Sequence, residues 1–560
     1  MSDINFSIPV GKILSILEKI KSKNKVLVVI ALCITSIAAY IHYLNNGLGL
    51  AYNDARSHLD IGRRIVEGLN PGLAQLGSVW LPLPHFLMTL TIWNDFMWHS
   101  GLAGAIVSMV SYVVTGIIIY KFLEHLKADL LSRLVAVFIF ASNLNVLYLQ
   151  STAMTELLLL ATMTIASYEL LKWGETKDIL NLIKSAFWIM LSTLVRYDGW
   201  FLLFWCSALI VYIVFASYIK PKEIFVNKKI QFQYLVSQFK IAYKTTEGFM
   251  ILFLTLAAFG IFIWILWNLI IFKDPLYFAL GPFSAKAQQD QLDSAGVLQT
   301  KHNLWLSIKF YFYALVFNSN LFLVILGSFG TIWLWFDKKL NKDVKLCASA
   351  LIAPLIFNII ALYFGHSVLF IQGLSGDTWF NVRYGIMLMP SIAIFTGYLL
   401  SKIKNFKYIA IGLILFVSFF AYSSYDAVTI DDALVGSSQK NVSEVSGWLA
   451  KNAREPEGFI LISAASHDAI IFSSGLPMKK FIHEGTGIYW ETATKYPDRW
   501  ARWIIVRTYD DNDLVWKSIK DLDVLQRYTL IDHFPFADIY ELKPEYLVDL
   551  NTKPILSNIK

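Results

Sequence analysis

Long apolar stretches with almost no charged residues recur along most of the chain. The stretches 26–44, 249–272 and 406–420 are the clearest of them. About 20 such residues in a helix cross the roughly 30 Å hydrocarbon core of a bilayer. A helix also satisfies its own backbone hydrogen bonds, which lipid cannot do. The pattern therefore predicts a polytopic α-helical membrane protein.

Basic residues between these stretches set the predicted topology, because Lys and Arg concentrate in short loops on the cytoplasmic side. Five of them place the N-terminus in the cytoplasm: Lys12, Lys19, Lys21, Lys23 and Lys25. No small-residue cleavage site follows the first apolar stretch, so we expect it to be an uncleaved span. The predicted location is the cell membrane, plasma or inner.

If the chain starts in the cytoplasm and crosses the membrane at each apolar stretch, about eleven spans are predicted within residues 1–425. The predicted outer loops are 45–98 and 273–303. The stretches 83–98 and 304–317 are assigned to the membrane interface, which keeps the basic loops on one side. Counting them as spans instead gives twelve or thirteen.

Residues 426–560 differ in character, because charges become frequent and apolar residues alternate with polar ones. The predicted helices are 442–452 and 513–520, and the predicted strands are 459–462, 503–507, 528–532 and 537–542. This pattern indicates a soluble α/β domain, which the topology places outside the cytoplasm. Asp510, Asp511 and Asp513 resemble an Asp-x-Asp metal site. No nucleotide-binding context surrounds them, so capping of the following helix is the favoured interpretation.

Composition supports this class of protein. The chain has 560 residues, of which 56% are hydrophobic and only 16% are charged, against roughly 25% charged in soluble domains. The net charge of +7 is interpreted as topology rather than nucleic-acid binding, since no basic tract is interleaved with aromatic residues. Cys33, Cys206 and Cys347 all lie in apolar stretches, so neither disulfides nor a cysteine metal site is expected.

Ionisable residues converge on the outer side of the predicted topology. Such residues at membrane depth are costly and often mark a functional site. They are Asp54 and His58 in the first outer loop, Glu156, Arg196, Asp198, Asp377 and Arg383. Each also has a structural interpretation: a helix cap for Asp54, a helix-dipole partner for Glu156, a local ion pair for Arg196 and Asp198, an interfacial anchor for Arg383 and a packing role for His85.

The segment 54–69 has the periodicity of an amphipathic helix. Apolar residues share one face, and the other face carries Arg56, Ser57, Asp60, Arg63, Arg64 and Glu67. Such a helix lies in the plane of the lipid headgroups. We therefore expect its basic residues to face lipid phosphates or a phosphate ligand.

Several short motifs resemble one family of membrane enzymes. The first outer loop reads Asn53-Asp54-Ala55-Arg56-Ser57-His58, then Ile61-Gly62-Arg63-Arg64, and continues to a proline turn, Trp80-Leu81-Pro82-Leu83-Pro84-His85. Arg196-Tyr197-Asp198-Gly199-Trp200 and Arg383-Tyr384, with Pro390 in the same span, follow later. These motifs resemble the GT-C glycosyltransferases, specifically the protein O-mannosyltransferase and lipid A aminoarabinose transferase family.

The resemblance implies transfer of a sugar from a polyprenyl-phosphate donor to a glycan, lipid or protein acceptor outside the cytoplasm. Asp54 would be the general base, with inversion at the sugar, and Glu156 a second catalytic acid. Donor phosphate and substrate would be bound by Arg56, His58, His85, Arg196, Tyr197, Asp198, Arg383 and Tyr384.

The chain departs from the family in two places. Asn53 stands where the family often has a second acid, so a divalent metal would need Glu156 or another carboxylate and is not favoured. No lysine lies in the proline turn, which leaves Arg196, Arg383, Lys286 or Lys301 to meet the donor phosphate. No cofactor is otherwise predicted.

Two other functions compete with sugar transfer. A transporter or flippase of lipid-linked glycans would place charges near the mid-membrane, with broken helices and internal repeats, and no clear repeat is present. A non-catalytic scaffold has no use for acids and arginines gathered on one face. The scaffold interpretation holds only if those residues lie far apart in the fold.

Overall fold

The structure is a computed structural model that describes residues 10–218, 225–226, 229–230, 232–281, 284–435 and 442–554. Helices dominate the first 425 residues. In the first half they are α1 Val10–Asn45, α2 Asn53–Val66, α3 Leu83–Met88, α4 Asp95–His99, α5 Leu102–His125, α6 Leu130–Ala141, α7 Leu144–Leu149, α8 Glu156–Thr176, α9 Ile179–Thr193 and α10 Asp198–Tyr218. A short hairpin, β1 Phe225–Val226 and β2 Lys229–Ile230, follows.

The second half of the membrane part continues with α11 Phe232–Ala257, α12 Phe259–Phe272, α13 Tyr277–Leu280, α14 Ala285–Ser294, α15 Leu304–Ser319, α16 Leu321–Phe336, α17 Lys342–Ala348, α18 Ala353–Tyr363, the 3₁₀ helix Val382–Leu388, α19 Met389–Leu400 and α20 Phe406–Ser424. Helix α11 takes up much of the stretch 220–244, which the basic residues predicted as a loop. Residues 220–224, 227–228 and 231 of that stretch lie outside the described residues.

Six helices among the described residues are long and apolar enough to cross a membrane: Lys23–Asn45, Leu102–His125, Asp198–Tyr218, Lys342–Tyr363, Val382–Leu400 and Phe406–Val435. Two pairs, α11 with α12 and α15 with α16, pass the same test together but are bent by 48° and 108°. The chain is an integral membrane protein with six such helices, or up to eight spans if each bent pair is one span. The eleven spans stay a prediction.

Two stretches that hydropathy left ambiguous fold as helices. The stretch 83–98 forms the short helices α3 and α4, and Phe86, Leu90, Trp93 and Phe96 on it are exposed. The stretch 304–317 lies in α15, which packs against the 3₁₀ helix Val382–Leu388 and α18. The chain reverses after α15 because Asn320 adopts a left-handed φ of 71° and caps α16.

The C-terminal part contains α21 Val428–Val435, α22 Ser443–Asn452, α23 Ala464–Ser473, α24 Ile488–Ala493 and α25 Leu514–Ile519. Its strands are β3 Phe459–Ile462, β4 Phe481–Ile482, β5 Ala501–Val506, β6 Tyr528–His533 and β7 Asp538–Leu542. They form one sheet in the order β4-β3-β5-β7-β6, with β4, β3 and β5 parallel and the last two pairs antiparallel. The predicted soluble α/β fold of this region is confirmed.

The junction between the two parts is packed rather than open. Helix α21 contacts α7 and the 3₁₀ helix Val382–Leu388, and α23 lies along α2. One continuous cluster of buried apolar side chains runs from the membrane helices into the C-terminal sheet. The C-terminal part therefore bears directly on the elements that carry the candidate site.

Candidate active site

Arg383 lies at the centre of the residues that the sequence singled out. Asn381 adopts a left-handed φ of 56° and starts the 3₁₀ helix, which turns the buried Arg383 side chain toward α2 and α8. Nη2 of Arg383 lies 2.6 Å from Oδ2 of Asp54, and Nε lies 3.2 Å from Oε1 of Glu156. Two acids from distant segments therefore meet on one guanidinium group.

Arg196 extends this group of charges. Its Nη1 lies 3.1 Å from the same oxygen of Glu156, and its Nε lies 3.5 Å from Oδ2 of Asp198. The ring of Tyr384 lies 5.0 Å from the Arg196 guanidinium and 5.6 Å from that of Arg383. The two arginines are thus joined by one shared carboxylate and one shared aromatic ring.

Asp432 belongs to the same group, although no sequence pattern singled it out. Its Oδ2 lies 3.6 Å from Nη1 of Arg383 and accepts a hydrogen bond from the Tyr52 hydroxyl at 3.1 Å. The residue follows the last apolar stretch in a segment that reads as the start of the soluble domain. The packing of α21 against α7 and the 3₁₀ helix Val382–Leu388 brings it to Arg383. We call Asp54, Glu156, Arg196, Asp198, Arg383 and Asp432 the Arg383 cluster.

Exposure separates the four acids of the cluster. The Asp54 side chain is 37% exposed, whereas those of Glu156, Asp198 and Asp432 are 0%, 6% and 1% exposed. Asp54 is in the first turn of α2, and the cap position before that turn is Tyr52. Asp54 makes no capping hydrogen bond, so the cap interpretation of this residue is wrong. It is the acid that a bound molecule can reach.

His58 and His85 form a buried pair beside the cluster. Nδ1 of His58 lies 2.8 Å from Nε2 of His85, and Trp80 packs on the His58 ring at 4.4 Å. Burial, and then the positive charges of Arg196 and Arg383, lower the pKa of His58 to about 3. His58 is therefore neutral at physiological pH, and the pair orients the proline turn against α2.

The polar face of α2 does not lie against lipid headgroups, which corrects the expectation from its periodicity. Arg63 is buried and pairs with Glu67 and Asp95, with its guanidinium 4.8 Å from the Trp98 ring. Buried charges need partners, and here Glu67 at the end of α2 and Asp95 of α4 supply them. The periodicity of α2 could not show that a second layer of protein covers its charged face.

The other half of this face meets the C-terminal part. Arg64 reaches Asp468 of α23 at 3.5 Å, and Trp98 donates a hydrogen bond to Asp60 at 3.2 Å. Asp60 and Asp468 are both buried, and the negative charge of Asp468 raises the pKa of Asp60 further. Burial raises the pKa of both, and Glu484 also raises that of Asp468, to about 6.

Arg56, a predicted phosphate ligand, points toward the same interface. Its Nε donates to the Leu50 carbonyl at 2.8 Å, and its Nη1 lies 3.2 Å from the Ser473 hydroxyl and 3.4 Å from Asn53. Among the described residues it pairs with no carboxylate. It keeps its full charge near the start of α2 but outside the Arg383 cluster.

The remaining predicted site residues lie apart from the cluster. Tyr197 donates to the Val79 carbonyl at 3.3 Å and stacks on Phe278. Lys301, in the loop after α14, pairs with Asp293 of that helix. Asp377 and Lys286 are exposed. No group of three or more His, Cys, Asp or Glu side chains within the described ranges is arranged to hold a metal ion.

The acidic triplet of the C-terminal domain resolves as a structural feature. Asp513 accepts hydrogen bonds from the Val515 and Trp516 amides at 2.9 Å, which caps α25. Its other oxygen accepts from the Arg507 amide and lies 2.6 Å from Nε2 of His467. The predicted cap at Asp513 is confirmed.

The three-dimensional arrangement is similar to that of solved structures. ArnT from Cupriavidus metallidurans, crystallised in the apo state, matches with a TM-score of 0.51 at 9% identity, over 91% of this chain and 98% of that one. The chain has the GT-C fold. The fold expected from the motifs is thereby confirmed, while the identity is too low to establish more than the fold.

The archaeal oligosaccharyltransferase AglB from Archaeoglobus fulgidus, in complex with an inhibitory peptide and a dolichol-phosphate, has a TM-score of 0.46 at 11% identity. That match covers 87% of this chain and 69% of AglB. No protein-family model and no curated protein sequence matches this chain. Within the GT-C fold described above, the Arg383 cluster draws its residues from the starts of α2 and α8, from the turn into α10 and its first residue, from the 3₁₀ helix before α19 and from α21.

Proposed function

We propose that this protein is a membrane glycosyltransferase that moves a sugar from a polyprenyl-phosphate donor to an acceptor on the extracytoplasmic side. The observation that carries the proposal is the Arg383 cluster within a GT-C fold. A partly exposed carboxylate lies there beside two arginines, one of them partly exposed. A lipid-linked donor reaches such a site from the bilayer, so no nucleotide-binding domain is required.

Asp54 is the proposed general base. The reaction forms a bond between an acceptor oxygen or nitrogen and the anomeric carbon, and it breaks the bond from that carbon to the phosphate oxygen. A carboxylate that takes the acceptor's proton favours this step. Direct attack of the acceptor inverts the anomeric centre. Asp54 suits the role because it is reachable, whereas Glu156 is enclosed by the two arginines.

Arg196 is the proposed partner of the departing phosphate. Each guanidinium nitrogen of Arg383 already faces a carboxylate. Within the described residues no contact uses Nη2 of Arg196, and its side chain is 20% exposed against 7% for Arg383. A guanidinium group with a free nitrogen can bind phosphate and stabilise its developing charge. Arg56 is a second cation that phosphate can reach.

The test is sugar transfer in membranes that contain the wild type, Asp54→Asn or Asp377→Asn, with a panel of radiolabelled polyprenyl-phosphate sugars. Asp377 is an exposed acid outside the cluster and serves as the matched control. We expect transfer by the wild type and the control, and a loss of at least a hundredfold in Asp54→Asn. Equal expression is checked by immunoblot.

Two outcomes contradict the proposal in different ways. Transfer that survives in Asp54→Asn removes Asp54 as the base and directs attention to Glu156. If the wild type transfers sugar from none of the donors, the result argues against a glycosyltransferase. Movement of a fluorescent lipid-linked glycan across the membrane of vesicles containing the protein would then favour a transporter.

A further inference from the structure

The guanidinium group of Arg383 meets one carboxylate at each nitrogen. Nη2 faces Asp54, Nε faces Glu156 and Nη1 faces Asp432. The Tyr52 ring lies 5.1 Å from the guanidinium. The group therefore cannot rotate in its plane without giving up an acidic partner, and Asp432 fixes the side that faces away from Asp54.

Asp432 is itself held by hydrogen bonds that begin at Tyr52. The Tyr52 hydroxyl lies 3.1 Å from Oδ2 of Asp432 and 2.8 Å from the Thr429 carbonyl oxygen. The amide and the hydroxyl of Thr429 both donate to Oδ1 of Asn145, at 3.0 and 2.8 Å. These hydrogen bonds tie α21 to Tyr52 and Asn145 and so hold Asp432 in place.

The same network returns to Arg383. Asn145 donates through Nδ2 to the Asn318 carbonyl at 3.2 Å, and Asn318 donates to the Val382 carbonyl at 2.7 Å. Val382 is the residue before Arg383. Both the side chain and the backbone of Arg383 are therefore tied to α21, the backbone through these hydrogen bonds and the side chain through its ion pair with Asp432.

The charge of Asp432 is not needed to neutralise Arg383. The cluster holds four carboxylates and two arginines, so it carries surplus negative charge away from water. Oε2 of Glu156 and Oδ1 of Asp432 are buried without a hydrogen-bond partner among the described residues. Moving the Asp432 carboxylate out of water costs free energy. Its contact with Arg383 is the third and longest that this arginine makes with an acid, and it returns less free energy than that cost. An asparagine would keep an acceptor for Tyr52 and avoid that cost.

We propose that Asp432 is a positioning residue for the sugar-transfer reaction, and that it holds the Arg383 guanidinium against Asp54 at the expense of fold stability. This inference rests on the proposed function. Without the carboxylate at position 432, Nη1 of Arg383 loses its acidic partner and the guanidinium turns in its plane. Asp54 then moves with its ion-pair partner and is misplaced relative to the acceptor.

The test compares four full-length variants with the wild type in lipid nanodiscs: Asp432→Asn, Asp432→Glu, Asp431→Asn and Asp513→Asn. Asp431 is the exposed neighbour on α21, and Asp513 is a buried acid with a structural role. The measurements are the thermal midpoint and, with the donor that the panel identifies, kcat and KM. We expect Asp432→Asn to keep or raise the thermal midpoint and to lower kcat by roughly tenfold to a hundredfold, with little change in KM. Asp432→Glu should recover part of kcat.

Three results bear against the inference or separate it from the proposed function. A thermal midpoint that falls in Asp432→Asn as it falls in Asp513→Asn makes Asp432 a structural acid and overturns the inference. An unchanged kcat in Asp432→Asn, where Asp54→Asn is inactive, also overturns it. If the wild type transfers no sugar, the proposed function fails. The thermal midpoints of wild type and Asp432→Asn then still show whether the charge of Asp432 lowers the stability of the fold.

Discussion

The contact of Asp60 with Asp468 makes the attachment of α23 to α2 dependent on pH. Burial raises the pKa of both acids, and that of Asp468 rises to about 6 from an ordinary value of 3.8. The folded contact therefore binds a proton more tightly than the unfolded chain does. By linkage its stability is complete below about pH 4 and is lost as the pH rises through about 6.

The size of the effect follows from that difference. A pKa difference of about two corresponds to about 3 kcal/mol, and the two acids titrate as a pair. The variant Asp468→Asn imitates the protonated acid, and Asp60 can then pair with Arg64 alone. We expect the variant to lack the part of the stability loss that comes from Asp468, so that at about pH 7.5 the opening of α23 is roughly a hundredfold rarer than in the wild type.

Hydrogen exchange of the α23 amides measures this opening directly. Wild type and variant are compared at the same pH, so that the intrinsic exchange rate cancels, at about pH 4.5 and about pH 7.5. Asp511→Asn, an exposed acid of the same domain, is the control and should behave as the wild type. Equal protection of wild type and Asp468→Asn at the higher pH would refute the reasoning, because the buried pair would then cost nothing when ionised.

Three further substitutions, one of them with a matched control, test the packing around the site. In Gly385→Ala the added methyl group would lie 2.2 Å from the Ala314 carbonyl oxygen, so we expect a loss of about 1–3 kcal/mol and a lower thermal midpoint, while Gly412→Ala, with open space around it, should be neutral or stabilising. Tyr52→Phe leaves a buried carbonyl oxygen and a carboxylate without their donor, which should cost about 1–3 kcal/mol in denaturant unfolding. Glu484→Ala removes the carboxylate that accepts from the first amides of α23 and should lower its exchange protection by about 1–2 kcal/mol.

Local patterns predicted the elements that local chemistry specifies. Four of the five strands of the C-terminal sheet lie within two residues of their predicted bounds, because alternation and turn residues act over short distances, whereas the two-residue strand β4 was not predicted. The cap at Asp513 followed from the preference of aspartate for that position. Asp54, Glu156, Arg196 and Arg383 could be found because each is an uncommon charge beside an apolar stretch.

What the sequence did not reveal depends on contacts between distant segments. Asp432 meets Tyr52 across 380 positions of the chain, and no periodicity in either segment reports that meeting. The charged face of α2 matched a headgroup-facing helix, yet Arg63 and Asp60 are covered by other parts of the protein. The 108° bend at Asn320 likewise depends on a single left-handed residue between two apolar helices.

The network that joins α21 to Arg383 also has a meaning for biosynthesis. Asp54 leaves the ribosome early, while Arg383 and Asp432 follow 329 and 378 positions later. The cluster cannot exist on a partly made chain, since its acids and arginines come together only after nearly every membrane helix has been inserted. Pairing of such distant residues is late and slow compared with local folding. A chain that stops before α21 would carry both arginines and Asp54 but lack the last anchor that fixes them, so the synthesis and packing of α21 complete the assembly of the site.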